Sequence, residues 1–135
     1  MEATLSIVIF RGDPVDIQST RHTALFIEMK DGSNVMVHIV GTVGLFSKEV
    51  KENVEPTKSQ KFLKKIPVAK ISGKSRQEIR SQLNSTVIKS SRDWNCQNWV
   101  GDALKGISDK AWITPMVRSS AIDRMLDVVM EAPDE

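Results

Sequence analysis

Apolar residues along this chain repeat first with the period of strands and later with that of helices. Leu5–Phe10 (LSIVIF) is an apolar, β-branched run closed by the turn signal Arg11-Gly12-Asp13-Pro14. It predicts a strand buried on both faces or nearly so. After a polar connection over Val15–Arg21, His22–Met29 (HTALFIEM) and Asn34–Val40 (NVMVHIV) predict two more strands. Lys30-Asp31-Gly32-Ser33 between them supplies hairpin chemistry, with Gly32 able to take a positive φ. Val43–Val50 predicts a short strand, and Val54–Thr57 reads as loop. Phe62–Ile71 (FLKKIPVAKI) reads as extended, and Pro67, lacking an N–H, makes it an edge or irregular strand.

Beyond Gly73 the period lengthens. Ser75-Arg76-Gln77-Glu78 is a capping-box pattern, and Ile79, Leu83 and Val87 share one face of a predicted helix over Arg76–Val87. Cys96, Trp99, Val100, Ala103, Leu104 and Ile107 form a second helical stripe. Asp93 reads as its N-cap, which puts Cys96 in the first turn. Trp112–Pro115 reads as a connection or short strand. A last helix opens on Ser120 with Asp123 three residues on, buries Ile122, Met125, Leu126, Val129 and Met130, and stops at Pro133. These elements predict one α+β domain over residues 1–135: an antiparallel sheet packed against the Cys96 helix and one or two others.

The hairpin register decides where the two histidines fall, because strand side chains alternate faces and opposed residues point the same way. A two-residue Asp31-Gly32 loop sets His38 opposite Leu25, facing away from His22. A three-residue Lys30-Asp31-Gly32 loop sets His38 opposite Ala24, so that both histidines share a face. Glycine in the last loop position favours the second register.

Composition narrows the function classes. A net charge of +2 over 135 residues makes no case for nucleic acid. The lysines between Lys48 and Lys74 read as a solvated face. A single cysteine excludes an internal disulfide framework and a multi-cysteine zinc site. Met1–Thr4 lacks the start of a secretory signal, and no apolar run reaches bilayer-spanning length, so a cytoplasmic protein without stable membrane insertion is expected. The Met-rich stripe of the last helix suits core packing or a partner helix, which leaves a homo-oligomer open.

The candidate chemistry is Cys96 with His22 and His38, the only histidines in the chain. A helix N-terminus favours a thiolate through its unpaired N–H groups and dipole. A neighbouring imidazole takes the thiol proton and returns it to a leaving group, and a third polar group orients that imidazole. Against this stands the plain reading of Cys96 as a small core residue and of the histidines as structural. Cysteine and two histidines also suit zinc, but no closely spaced ligand pair supports a metal site, and neither metal nor cofactor is expected.

The segment RHTALFIEMKDGSNVMVHIVG resembles the histidine hairpin of the lecithin retinol acyltransferase-like proteins, circularly permuted members of the papain-like thiol hydrolase superfamily. His22 matches the first histidine of that pattern and Val37-His38-Ile39 the second. NCQNWVGDAL resembles the family's cysteine helix, which places Cys96 as nucleophile. Histidines before cysteine is the permuted order. RHTALF and NCQNW are also similar to the PPPDE isopeptidases, whereas His38 favours the acyltransferase-like branch. Three departures stand out: Gln97-Asn98 replaces an acidic residue and a histidine, the hairpin loop is longer, and the chain has no tyrosine to stabilise an oxyanion.

The resemblance implies a permuted papain-like fold and a cysteine-dependent acyl hydrolase or acyltransferase. Cys96 would attack an ester, amide or thioester, His22 would act as base and then acid, and His38 would orient it. Trp94, Asn95 and Gln97, around the sulfur, are the expected substrate-binding residues, and the substrate is a small molecule or an acylated or peptidic one. The competing expectations are a non-catalytic binding module on the same fold and a thiol-dependent enzyme of small-metabolite biosynthesis.

Overall fold

A computed structural model describes residues 2–134. Five strands, β1 (Glu2–Phe10), β2 (His22–Met29), β3 (Asn34–Val40), β4 (Ser47–Glu52) and β5 (Phe62–Ser72), form one antiparallel sheet of order β4-β3-β2-β1-β5. Three helices follow, α1 (Arg76–Asn84), α2 (Cys96–Asp109) and α3 (Pro115–Val129). The architecture is α+β, and β2 and β3 have the limits that their hydrophobic patterns predict.

The helices pack on one face of the sheet. Alternation sends Leu5, Ile7, Ile9, Leu25, Ile27, Val35 and Val37 towards that layer, where they form one core with Trp99, Val100, Leu104 and Ile107 of α2. On the other face Val8, Ala24, Phe26 and Met36 form a smaller cluster under Phe10, Val54 and Phe62. Burial on both faces is why β1 reads as a continuous apolar run. Pro67 lies on edge strand β5, where the pairing with β1 shifts register beside it. An edge strand with a bulge tolerates the missing donor.

The β2–β3 hairpin takes the three-residue loop. Leu25 opposes Val37 and Ile27 opposes Val35, Met29 N–H donates to Ser33 O at 2.9 Å, and Gly32 has φ +90°. That register carries His22 and His38 to the face of Ala24 and Met36, away from the helices.

Several boundaries differ from expectation. Helix α1 stops at Asn84, leaving Val87 exposed, although its Ser75–Glu78 capping box forms as read. Helix α3 begins at Pro115 rather than after Ser120: Thr114 Oγ1 accepts the Val117 N–H at 3.1 Å, and proline suits the first helical position. Ala121, Met125, Val128 and Val129 are its buried positions, while Leu126 and Met130 are exposed. The earlier start rotates which residues meet the core.

The connection between β1 and β2 is ordered by polar contacts. Thr20 Oγ1 and Asp16 knit it internally, with Asp16 Oδ1 accepting the Gly12 N–H at 2.9 Å. Buried Arg21 donates to both Asp16 oxygens and to Val128 O, and the guanidinium holds the Asp16 carboxyl down at about 2. Gln18 donates its N–H to Pro133 O and its amide to Ala132 O, at 2.9 and 3.1 Å. The segment after α3 thus fastens the chain entering β2.

Candidate functional site

Helix α2 is capped by Asn95, not Asp93. Asn95 is extended, its Oδ1 accepts the Gln97 N–H at 2.9 Å, and Asn98 Oδ1 returns the contact by accepting the Asn95 N–H at 3.0 Å. Asp93 instead lies in the turn closed by Trp94 N–H donating to Ser91 O. Cys96 is therefore the first helical residue, and its whole predicted stripe is buried.

The Cys96 thiol points into the helix-side core and is 8% exposed. Its Sγ lies 3.7 Å from the carbonyl oxygen of Arg21, to which the S–H donates. The N–H and hydroxyl of Thr23 and the N–H groups of Cys96 and Gln97 favour the thiolate, but burial outweighs them and pushes the thiol above its ordinary pKa. The expectation that the helix terminus alone favours a thiolate is thus corrected: desolvation of the charged form dominates.

Across the sheet, His22 Nε2 lies 2.6 Å from His38 Nδ1, and His38 Nε2 lies 2.7 Å from Glu49 Oε1. Burial lowers the pKa of both imidazoles, His22 to about 4, with His38 adding repulsion at His22. Burial favours the neutral form of both rings, and the Glu49 carboxylate then sets the tautomers. The Glu49 carboxylate only accepts, so His38 carries its proton on Nε2 and accepts at Nδ1. His22 must then donate from Nε2, which leaves a lone pair on its Nδ1. That atom forms no hydrogen bond among the described residues. The Glu49 carboxyl, beside His38, is held below its usual range.

Cys96, His22, His38 and Glu49 line one cavity of about 1080 Å³. No hydrogen bond joins Sγ to His22 among the described residues. Thr23 and His22 are consecutive on β2 and point to opposite faces, so the thiol and the imidazole line the cavity from the two sides of the start of β2.

The other expected site residues have protein partners. Trp94 is buried and its Nε1 donates to Asp102 at 3.1 Å. Gln97 Nε2 donates to Gln18 O at 2.8 Å and to Arg21 O at 3.1 Å. Asn95 alone of these three lines the cavity, while its side chain serves as the cap. Glu49 is the residue that sequence reasoning missed. Its signal is an acid opposite His38 across the β3–β4 pairing, readable only once the loop between those strands is counted correctly. Among the described residues, no group of His, Cys, Asp and Glu side chains is arranged to hold a metal ion, and no helix is long and apolar enough to cross a membrane.

Residues 15–114 match a family whose description is Family of unknown function (DUF6540). The matched stretch contains Cys96, His22, His38 and Glu49, while β1 and α3 lie outside it. No curated protein and no solved structure matches the chain.

Proposed function

The chain belongs to the DUF6540 family, and we propose that it is a cysteine-dependent acyl hydrolase or acyltransferase on a permuted papain-like fold. The reading rests on one observation: the wall that holds Cys96 at the start of α2 also holds the hydrogen-bonded series His22–His38–Glu49. The histidine hairpin, two strands of the antiparallel sheet, precedes the cysteine helix in the chain, and that order supports the permuted topology.

In the proposed reaction the thiol leaves the Arg21 carbonyl and passes its proton to the His22 Nδ1 lone pair. The sulfur attacks the carbonyl carbon of an ester, amide or thioester. The oxyanion forms beside the Cys96 N–H, which has no intrahelical acceptor at the first helical position. Collapse expels the leaving group, which takes the proton from His22 Nδ1 and leaves an acyl thioester on Cys96. Water or an acceptor hydroxyl or amine then attacks, with His22 again as base. Throughout, Glu49 and His38 stabilise the imidazolium that forms.

The test is intact-mass spectrometry with a panel of p-nitrophenyl esters and acyl thioesters. Wild type is expected to accumulate one acyl group on Cys96. Cys96→Ser forms none, and His22→Ala slows acylation by about a hundredfold or more. Equal turnover in all three proteins sinks the proposal.

A second reading, a binding module without catalysis, is favoured by the buried thiol and its bond to Arg21 O. It predicts a Cys96 inert to iodoacetamide at every pH, whether or not His22 is present.

A further inference from the structure

Gln97 follows Cys96 in the first turn of α2, and both of its amide hydrogens are committed to the chain entering β2. Nε2 donates to Gln18 O at 2.8 Å and to Arg21 O at 3.1 Å. The Arg21 carbonyl is also the acceptor of the Cys96 thiol, at 3.7 Å. One carbonyl oxygen, on the residue before His22, therefore serves both the nucleophile and its helical neighbour.

We infer that Gln97 is a positioning residue that frees the Cys96 thiol to ionise by satisfying the Arg21 carbonyl in its place and by holding the start of β2 against α2. The inference deepens the proposed thiol chemistry and rests on it. A buried carbonyl that loses its only donor carries the full cost of desolvation. When Cys96 gives its proton to His22, Sγ ceases to donate and becomes an acceptor only. Gln97 Nε2 remains on Arg21 O, so the thiolate state strands no acceptor. The same amide ties the residue before His22 to the turn that bears the sulfur, so Cys96 and His22 keep a constant offset. Besides Arg21 O, the N–H and hydroxyl of Thr23 and the N–H groups of Cys96 and Gln97 surround Sγ and favour its charged form, against burial. Arg92 and Asp93 line the same cavity as opposite charges.

The test is the pH profile of Cys96 alkylation by iodoacetamide, followed by peptide mass spectrometry. Five proteins are compared: wild type, Gln97→Met, Gln97→Asn, His22→Ala and Thr114→Ala. Met has the length of Gln without its donors. Asn keeps the amide one carbon short of both carbonyls, and it carries the test if Gln97→Met does not fold. Thr114→Ala removes a distant helix cap and controls for general loss of stability. The expected result is a profile midpoint shifted upward in Gln97→Met, with alkylation at pH 8 about tenfold slower, the equivalent of one pKa unit. Gln97→Asn shifts in the same direction, and Thr114→Ala leaves the midpoint unchanged. The inference is overturned if the Gln97 variants keep the wild-type midpoint, or if Thr114→Ala moves it as far. A profile insensitive to His22→Ala while the Gln97 variants shift it would instead refute the Cys–His reaction and leave the role of Gln97 standing.

Discussion

Acidification between pH 7.5 and 4.5 is expected to destabilise this protein chiefly through His22. The neutral form is favoured in the folded state by burial first and then by His38, which together bring the pKa from 6.5 to about 4. The unfolded chain therefore binds a proton through this window that the native state refuses, and stability falls with pH. The contribution is fully present above 6.5, declines as pH falls, and levels off below about 4. With 1.36 kcal/mol per unit, His22 alone removes about 2.5 kcal/mol by pH 4.5. His38 is shifted in the same direction and adds to the loss. Glu49, whose carboxyl is held down by His38, loses its contribution only at lower pH. A domain's total stability is about 5–15 kcal/mol, so the effect is a large fraction of it. The assay is urea unfolding at four pH values, comparing wild type with His22→Gln, whose amide still donates to His38 Nδ1 without titrating. The variant should keep about 2.5 kcal/mol that wild type loses, at unchanged m-value. Equal losses in the two proteins would refute the assignment of a buried, neutral His22.

Two substitutions test the loops that frame the site. Asn95→Ala should cost about 1 kcal/mol in urea unfolding through loss of the α2 cap, whereas Asn95→Asp should cost little; equal costs would show that the cap is not the cause. Gly12→Ala should cost about 1–3 kcal/mol by overpacking, because its Cβ would meet Thr20 Oγ1 at 2.0 Å and Val15 O at 2.8 Å. An unchanged unfolding midpoint would mean that the β1–β2 connection relaxes freely.

The sheet's inner hairpin was legible because one residue determines its register. Gly32 closes the three-residue loop with φ +90°, and everything from Met29 to His38 follows. The edges were less legible for a physical reason. Strand β4 reads SKEVKE and is half-exposed, so no apolar alternation marks its limits. Its register, and hence the pairing of Glu49 with His38, depends on the conformation of the Gly41–Phe46 loop. At α2 two acceptors compete for the cap, and the reciprocal bond available from Asn98 selects Asn95 over Asp93. At α3, Thr114-Pro115 and Ser120–Asp123 are both start signals, and the first prevails because proline is already set for a helix there. The thiol's environment lay beyond sequence reasoning, since its desolvation depends on how tightly α2 lies against Thr23 and Arg21.

The bonds that fasten the entry to β2 also carry a consequence for the order of assembly. Gln18 and Arg21 reach carbonyls 114 and 107 residues downstream. Contacts of such separation incur the largest loop-closure entropy and depend on synthesis having passed them. A nascent chain that has emerged as far as α2 already holds both the sulfur and the imidazole series. It lacks the acceptors that anchor their junction until α3 and the segment after it follow. The entry to β2, against which Cys96 and Gln97 pack, is thereby fixed from both sides only once α3 is complete.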